Sequence, residues 1–291
     1  MNVDLSQVLG CGTHGTVYQS TLNPNLAVKV VTNTTLMVPQ CPSEKKIQID
    51  VCKLIGAEYQ AQEIIFDALE KYRFQLPGGE LLRIPQVHGF SFSPSTYSAK
   101  YCSYLMEKIP KFENMNKLIQ IPLGYDRTYQ EENSSGIYMG IETLLEFLKL
   151  PAGSEVKIVQ AMASLHALFH FGIGCDGYDV EYVVSKNSEN ELQIYAFDFD
   201  KVSFYTGPYK QLSDPENNNC VMRKLTEDNY EQRSIQNERD IVKFLATSFS
   251  YDPCPNYPEY PIWKETYLAV AELFGQKDQA ERVLEMRLIF F

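Results

Sequence analysis

Hydrophobic and polar positions follow a strand-like pattern at the start of the chain. Short β-branched or apolar runs predict strands at 8–18, 26–31, 81–90 and 101–106. The turn sequence Asn23-Pro24-Asn25 separates the first two runs. Between the second and third runs, residues 50–72 carry apolar side chains at helical spacing without a proline, and this predicts one long helix that Pro77-Gly78-Gly79 closes.

From about residue 108 the pattern becomes helical. Helices are predicted at 141–148, 156–171, 237–249 and 263–274. One hairpin interrupts them, with strands at 180–184 and 192–197 joined by a polar connection. We therefore predict an α+β chain with a small β-rich part that holds one main helix, residues 1–107, and a larger, mainly helical part, residues 108–291.

Charge and hydropathy restrict the classes of partner. The 291 residues carry 26 Lys and Arg against 37 Asp and Glu, a formal net charge of −11. Binding to nucleic acid or to an anionic membrane depends on basic patches, so this balance argues against both. No apolar run reaches the roughly 20 residues of a membrane span, and the first residues form no signal peptide. We expect a soluble intracellular protein, cytoplasmic or acting as an effector inside a host cell.

Cysteine and histidine do not predict a metal centre. The seven cysteines are scattered, odd in number and without a C-x-x-C pair, which argues against a zinc module or a disulfide framework. His166 and His170 stand four residues apart on a predicted helix, a spacing that metal ligands use. No H-E-x-x-H glutamate and no third ligand accompany them, so we expect them to pack and cap the helix.

The glycine-rich segment Gly10-Cys11-Gly12-Thr13-His14-Gly15 has the G-x-G-x-x-G spacing. A dinucleotide-binding turn of this kind would be followed by a helix, whereas here the β-type run Thr16-Val17-Tyr18 follows. In a glycine-rich hairpin the backbone N–H groups approach phosphates closely because side chains are missing. The segment is interpreted as a phosphate-binding hairpin, and an ordinary glycine turn is the alternative.

Lys29 lies eleven residues after Tyr18, in the run Ala27-Val28-Lys29. Strand alternation puts Ala27 and Lys29 on one face, where the small residue leaves room for an adenine and the ammonium can meet phosphates. A carboxylate from the helix should hold this ammonium. Glu58 and Glu63 are both candidates; Glu58 is preferred, because Glu63 adjoins an apolar pair, and a solvent-facing acid is the alternative for either.

Carboxylates cluster in two later segments. Asp176 follows the predicted helix 156–171 and precedes Glu181 by five residues, while Asp198 and Asp200 end the predicted strand 192–197. In a phosphoryl-transfer site the first aspartate would accept a hydroxyl proton, and the later acids would bind a divalent metal. Asp179 also falls in this region, and the alternative for Asp179 and for Asp200 is a side chain that points to solvent.

Together these segments resemble the protein-kinase fold, and more closely a mostly fungal kinase-like family of unassigned function. The resemblance implies a bilobal fold, with an N-lobe at 1–107, a C-lobe at 108–291 and ATP between them. It implies a catalytic set of Asp176, Lys29 and Glu58, and a pair of metal ligands, Asp198 and Glu181, for Mg²⁺ or Mn²⁺. It further implies a nucleotide-binding set of Gly10, Gly12, Gly15, Val17, Ala27, Lys29, Glu107 and Ile109.

The pattern also departs from that of a working protein kinase. Gly174-Cys175 precede Asp176 in place of H-R, so the arginine that reads a phosphorylated loop is absent. Asp200 replaces the glycine of D-F-G, Glu181 replaces an asparagine, and no A-P-E follows. An ATP- and metal-dependent phosphotransferase acting on an unknown protein or small-molecule hydroxyl is therefore weighed against a pseudokinase that serves as an interaction module. An aminoglycoside- or choline-type kinase, with a cationic acceptor, is the third possibility.

Overall fold

The computed structural model describes residues 3–11, 15–31, 35–39, 46–93, 101–113, 115–133, 136–206, 238–249 and 251–289. The strands are β1 (Val3–Cys11), β2 (Thr16–Ser20), β3 (Leu26–Val31), β4 (Thr35–Pro39), β5 (Lys46–Asp50), β6 (Leu82–Arg83), β7 (Val87–Ser93), β8 (Tyr101–Glu107), β9 (Ile119–Gln120), β10 (Gln130–Glu132), β11 (Ile137–Met139), β12 (Glu181–Lys186) and β13 (Leu192–Phe197). The helices are α1 (Val51–Tyr72), α2 (Ile141–Leu148), α3 (Ser154–Ala167), α4 (Glu238–Ala246), α5 (Tyr260–Leu273) and α6 (Lys277–Leu288). The fold is mixed α+β, as the sequence predicts, with a β-sheet region first and helices later.

An antiparallel sheet of five strands, in the order β1-β2-β3-β8-β7, forms the N-terminal region. The central strand β3 is apolar and buried on both sides, with Ala27 and Val28 at 2% and 0% exposure. Its register places Lys29 between Val17 of β2 and Tyr104 of β8. Strands β4 and β5 form a separate antiparallel pair. The predicted strand after the glycine segment is confirmed, because β1 and β2 form a hairpin.

Helix α1 contacts two hydrophobic cores. Near its start, Ile55 packs with Val31, Cys102 and Tyr104 against the five-stranded sheet. Further along, Ile65 and the residues one turn beyond it belong to the large core that the C-terminal helices build. Apolar residues three and four apart share one helix face, so a single stripe serves both cores. The predicted helix 50–72 is confirmed, and α1 connects the sheet to the rest of the molecule.

The second part of the chain holds more strand than its pattern predicts. A six-stranded mixed sheet has the order β10-β11-β9-β12-β13-β6, and its centre is the predicted hairpin of β12 and β13. Strands β9, β10 and β11 are two or three residues long, which is too short for an alternation to be recognised. Strand β6 lies before residue 107 in the chain yet pairs with β13, so residues of the first part contribute to this sheet.

Helix α3 continues into a π-helical turn at Leu168–Ile173. In the described part of the chain, the stretch Ser154–Ile173 is long and apolar enough to cross a membrane. In the most apolar 18 residues of this stretch, 67% are buried inside the fold, where α3 packs on α5. A helix in the core of a protein can have the same length and composition, so this helix does not show a membrane span.

The structure describes the bonding state of three of the seven cysteines. Cys102, in β8, is disulfide-bonded, whereas Cys175 and Cys254 are free thiols. The sequence argued against a framework of several disulfides, and one bonded cysteine does not contradict that expectation.

Candidate functional site

Lys29 and Glu58 form a buried ion pair between strand β3 and helix α1. The Lys29 Nζ atom lies 2.7 and 2.8 Å from the two carboxylate oxygens of Glu58, and the two residues are 7% and 3% exposed. Glu63, the other candidate from the sequence, lies on the exposed face of α1. The structure thus brings Glu58, and not Glu63, to the lysine.

Tyr104 completes what we call the lysine side of the site, which consists of Lys29, Glu58 and Tyr104. The Tyr104 hydroxyl donates a hydrogen bond of 2.9 Å to Glu58 Oε1. Burial by itself would lower the pKa of Lys29, but the Glu58 carboxylate beside it raises that pKa well above its ordinary value. Lys29 is therefore a permanent ammonium group in this position. Nothing in the sequence pattern pointed to Tyr104, although its place opposite Lys29 follows from the strand register.

Asp198 extends this contact to the second half of the chain. Its Oδ1 atom lies 3.4 Å from Lys29 Nζ, and its side chain is 38% exposed. The residue follows β13 with φ at 64°, in the left-handed region that costs a non-glycine residue energy. The bend turns the carboxylate back toward β3. Three segments that are far apart in sequence, around residues 29, 58 and 198, therefore meet at one ammonium group.

Asp176 is held by the chain segment that follows Asp198. Its Oδ1 atom accepts hydrogen bonds from the backbone N–H groups of Ser203, at 2.8 Å, and Tyr178, at 3.2 Å. Its own backbone N–H donates to the Ser203 carbonyl at 3.1 Å. The residue is fully buried, and among the described residues its Oδ2 atom has no hydrogen-bond partner. Burial raises the pKa of Asp176 to about 7 against the opposing effect of these hydrogen bonds.

Glu181 stands at the start of β12 and faces other acids. Gln120 of β9 donates a hydrogen bond of 3.0 Å to Glu181 Oε2. Burial first, and then the charges of Asp198, Asp179 and Asp200, raise the pKa of Glu181 to about 7. We call these carboxylates, with Lys201, the acidic side of the site: Asp176, Asp179, Glu181, Asp198 and Asp200.

Two carboxylates of the acidic side could supply some, but not all, of the ligands of a divalent metal. The described residues contain no group of three or more His, Cys, Asp and Glu that could hold a metal ion by itself. Mg²⁺, however, is commonly held by one or two carboxylates together with phosphate oxygens and water. Asp198 and Glu181 provide such oxygens, and the mutual repulsion of the acids favours a cation among them. The donor set therefore fits a metal that arrives with a phosphate ligand.

The glycine segment lies next to Lys29 through strand β2, whose Val17 pairs with Lys29. A Cβ atom at Gly15 would come within 2.9 Å of the Val30 carbonyl oxygen, so this position requires glycine. A Cβ at Gly10 would meet nothing within 4 Å. Gly12, the third predicted phosphate-binding glycine, lies outside the described residues.

The segment after β8 supplies the remaining predicted nucleotide contacts. The Glu107 backbone N–H is already used, because it donates to the Gln86 carbonyl at 2.7 Å, whereas in the described part of the chain the Ile109 N–H has no backbone acceptor. Ala27, which pairs with Met106, is buried. A cavity of about 390 Å³ adjoins this segment; it is lined by Leu9, Pro24, Asn25, Lys108, Pro110 and Lys111.

The two histidines of α3 and its π-helical turn have structural partners. His166 Nδ1 lies 3.0 Å from Asp252 Oδ2. His170 Nδ1 lies 2.6 Å from the Tyr267 hydroxyl, and its Nε2 lies 3.1 Å from the Asp176 carbonyl oxygen. Both side chains are buried and packed within the fold, as the sequence predicts. What the sequence did not indicate is that His170 connects helix α5 to Asp176.

Comparisons with known proteins add little to this geometry. No protein-family model matches the chain, and no curated protein matches it. Among solved structures, "WaaP in complex with acyl carrier protein" is similar over 95% of this chain and 88% of that chain, at 13% sequence identity and a TM-score of 0.34. A likeness of this strength carries no information on function, and the site geometry alone supports the interpretation below.

Proposed function

We propose that this protein is an ATP-dependent and metal-dependent phosphotransferase with a kinase-like, bilobal arrangement around its nucleotide site. One observation carries the proposal: the Lys29 ammonium contacts Glu58 from a helix and Asp198 from the end of a distant strand. A buried lysine held in this way is pre-positioned for the phosphates of a nucleotide. The closer relation to a mostly fungal kinase-like family stays a prediction.

The sheet and the segment after it would bind the nucleotide. The backbone around Gly10, Gly12 and Gly15 would cover the phosphates, and Lys29 would contact them. Ala27 and Val17 would lie against the adenine, while the Glu107 carbonyl and the Ile109 N–H would hydrogen-bond its edge. The absence of a backbone acceptor for the Ile109 N–H, among the described residues, supports that assignment.

Asp198 and Glu181 would hold Mg²⁺ or Mn²⁺ between their carboxylates and the phosphates. When bound, such an ion would supply positive charge that offsets the phosphate charge and polarises the reacting group. The acids themselves orient the ligand and keep it at the end of β13, next to Lys29. Two unit charges about 4 Å apart interact by about 4 kcal/mol at an effective dielectric near 20. Without a cation, these acids would therefore repel a triphosphate.

In the transfer step, the acceptor hydroxyl oxygen forms a bond to the γ-phosphorus. The bond from that phosphorus to the bridging oxygen breaks, and ADP leaves with the electron pair. The hydroxyl proton passes to a carboxylate, and Asp176 is proposed for this role since its pKa of about 7 suits a base near neutral pH. The acceptor is a hydroxyl of a protein or a small molecule, and the acidic side would favour a cationic one.

A pseudokinase is the second candidate function, and one observation favours it. Asp176 is fully buried, so an acceptor could reach it only if the neighbouring residues move. A protein whose base stays closed off would bind nucleotide, or a partner protein, without transferring phosphate. A pseudokinase that binds nucleotide would use the same nucleotide site as the phosphotransferase and would differ from it in chemistry alone.

A thermal-shift titration with ATP, at graded Mg²⁺ and Mn²⁺, tests nucleotide binding. A ligand that binds only the folded state raises the melting temperature, so we expect a metal-dependent shift for the wild-type protein. Lys29→Met should abolish the shift, whereas Lys157→Met, at an exposed surface position, should leave it unchanged. No shift at any metal concentration would overturn the proposal.

Release of inorganic phosphate from ATP, with water as the acceptor, separates the two candidates. For a phosphotransferase we expect slow release that Asp176→Asn lowers by about 100-fold or more without changing the thermal shift. A nucleotide-dependent thermal shift without any release, in the presence of either metal, would instead support the pseudokinase.

A further inference from the structure

Lys201 is a second ammonium group in the acidic side of the site. It follows Asp198-Phe199-Asp200 directly, and its Nζ atom contacts Asp179 Oδ2. Both side chains are about one-third exposed, at 33% for Lys201 and 34% for Asp179. Lys29, by contrast, has a side chain that is 9% exposed. Lys201 is thus the more accessible of the two ammonium groups.

The backbone holds Lys201 in place on both sides. Three residues before it, Asp198 contacts Lys29. Two residues after it, Ser203 exchanges two hydrogen bonds with Asp176, from Ser203 N to Asp176 Oδ1 and from Asp176 N to the Ser203 carbonyl. The turn between these anchors is closed by a 3.3 Å bond from Val202 N to the Phe199 carbonyl. A change of partner by Lys201 therefore requires a movement of its side chain only, and not of the backbone.

Lys29 already has anionic partners on two sides. Both oxygens of Glu58 bind its ammonium group, and Asp198 is a third contact. The terminal phosphate of ATP carries more charge than the β-phosphate, so a second ammonium group beside the metal would stabilise it further. In the described part of the chain, the electrostatic neighbours of Asp198 and Asp200 include Lys29 and Lys201.

We propose that Lys201 leaves Asp179 and binds the terminal phosphate when ATP enters the site, so that Lys201 distinguishes ATP from ADP. This inference rests on the proposed nucleotide site. A phosphate offers the ammonium several charged oxygens, whereas Asp179 offers one carboxylate. Asp179, with φ at 62°, holds Lys201 beside the site until the nucleotide arrives.

Calorimetric titration with Mg²⁺–ADP and with the Mg²⁺ complex of the β,γ-imido analogue of ATP tests the inference. For the wild-type protein we expect the triphosphate analogue to bind more tightly than ADP. Lys201→Met should weaken the analogue about tenfold and change ADP by less than twofold. Lys201→Arg should retain most of the preference, and Lys157→Met should retain all of it. Equal losses for both nucleotides would overturn the inference.

A double variant separates contact with phosphate from simple charge balance. If Lys201 only neutralised Asp179, then Asp179→Asn combined with Lys201→Met would restore the wild-type preference. If Lys201 binds the terminal phosphate, the double variant stays about tenfold weaker for the analogue. Restoration would therefore overturn the inference, whereas a persistent loss would support it.

The failure of this inference can be distinguished from that of the proposed function. A wild-type protein that binds neither nucleotide overturns the proposed function and this inference with it. A wild-type protein that binds both, together with a Lys201→Met protein that keeps its preference for the triphosphate, overturns the inference alone.

Discussion

The lysine side and the acidic side of the site differ in how their charges are matched. On the lysine side, Lys29 has two carboxylate contacts from Glu58, and Tyr104 donates to the same carboxylate. On the acidic side, five carboxylates accompany Lys201, and the pKa of Glu181 is raised by burial and by three of those acids. The charges of the lysine side are balanced without a ligand, whereas the charges of the acidic side would be balanced only by a further cation. The site thus combines a fixed anchor, the Lys29–Glu58 pair, with a cluster of carboxylates that Lys201 offsets only in part.

The largest effect should come from breaking the fixed anchor. Glu58→Ala leaves the buried Lys29 ammonium without its main partner, so we expect the free energy of unfolding to fall by about 3–5 kcal/mol. Urea titration measures this change. Glu63→Ala, on the exposed face of the same helix, is the matched control and should stay within about 0.5 kcal/mol of wild type. Similar losses for both variants would show that the ion pair does not anchor the fold.

The second-largest effect should be a pH dependence of protein stability, which originates from Asp176 on the acidic side. Its pKa in the folded protein is about 7, above the ordinary value of about 3.9 in an unfolded chain. The unfolded chain therefore loses its proton first, and the stability that neutral Asp176 contributes is complete below about pH 4 and lost as the pH rises through 7. We expect melting temperatures to fall over this range, by an amount equivalent to at most about 4 kcal/mol.

Asp176→Asn isolates this contribution, since an amide does not titrate. The variant should show a flatter fall of melting temperature between pH 4 and 8 than wild type, while Asp67→Asn, at an exposed position, should follow the wild-type curve. A slope that Asp176→Asn leaves unchanged would contradict the assignment.

The smallest effect is expected for Glu181→Gln, and its sign should distinguish the acidic side from the lysine side. Glu181→Gln removes one of the crowded carboxylates and keeps an oxygen that can accept from Gln120, so the metal-free protein should become more stable by about 1 kcal/mol. The same change should weaken the Mg²⁺ dependence of the ATP thermal shift. Glu189→Gln, in the exposed connection after β12, is the control. If Glu181→Gln made the metal-free protein less stable, the charge of Glu181 would already be balanced in that protein.

The sequence predicted the lysine side better than the acidic side. Alternation along β3 predicted the face of Lys29, and the preference for Glu58 over Glu63 rested on the apolar pair beside Glu63 and on the kinase resemblance. The hydrogen bonds that hold Asp176 come from Ser203, in an irregular segment whose path follows no period. The short strand β9, which brings Gln120 to Glu181, was missed because two residues carry no alternation. Gly12 and the residues between 207 and 237 lie outside the described structure.

Residues distant from the site also affect it in ways that no local motif could indicate. His170 connects the Tyr267 hydroxyl of α5 to the carbonyl of Asp176. The i, i+4 spacing of His166 and His170 predicted only that they share a helix face. That one of them supports the proposed base depends on how α5 packs. The contact joins residues 97 positions apart in the chain, and such packing is set by the whole core.

The pairing of Lys29 with Tyr104 across β3 and β8 has a consequence for how the protein folds. A slip of one residue turns every side chain of the slipped strand to the opposite face, so a slip of β3 would take Lys29 away from Glu58, and a slip of β8 would take Tyr104 away. Misalignment of β3 would then leave the Glu58 carboxylate buried without its cation. Correct alignment is thereby favoured by electrostatics as well as by apolar packing.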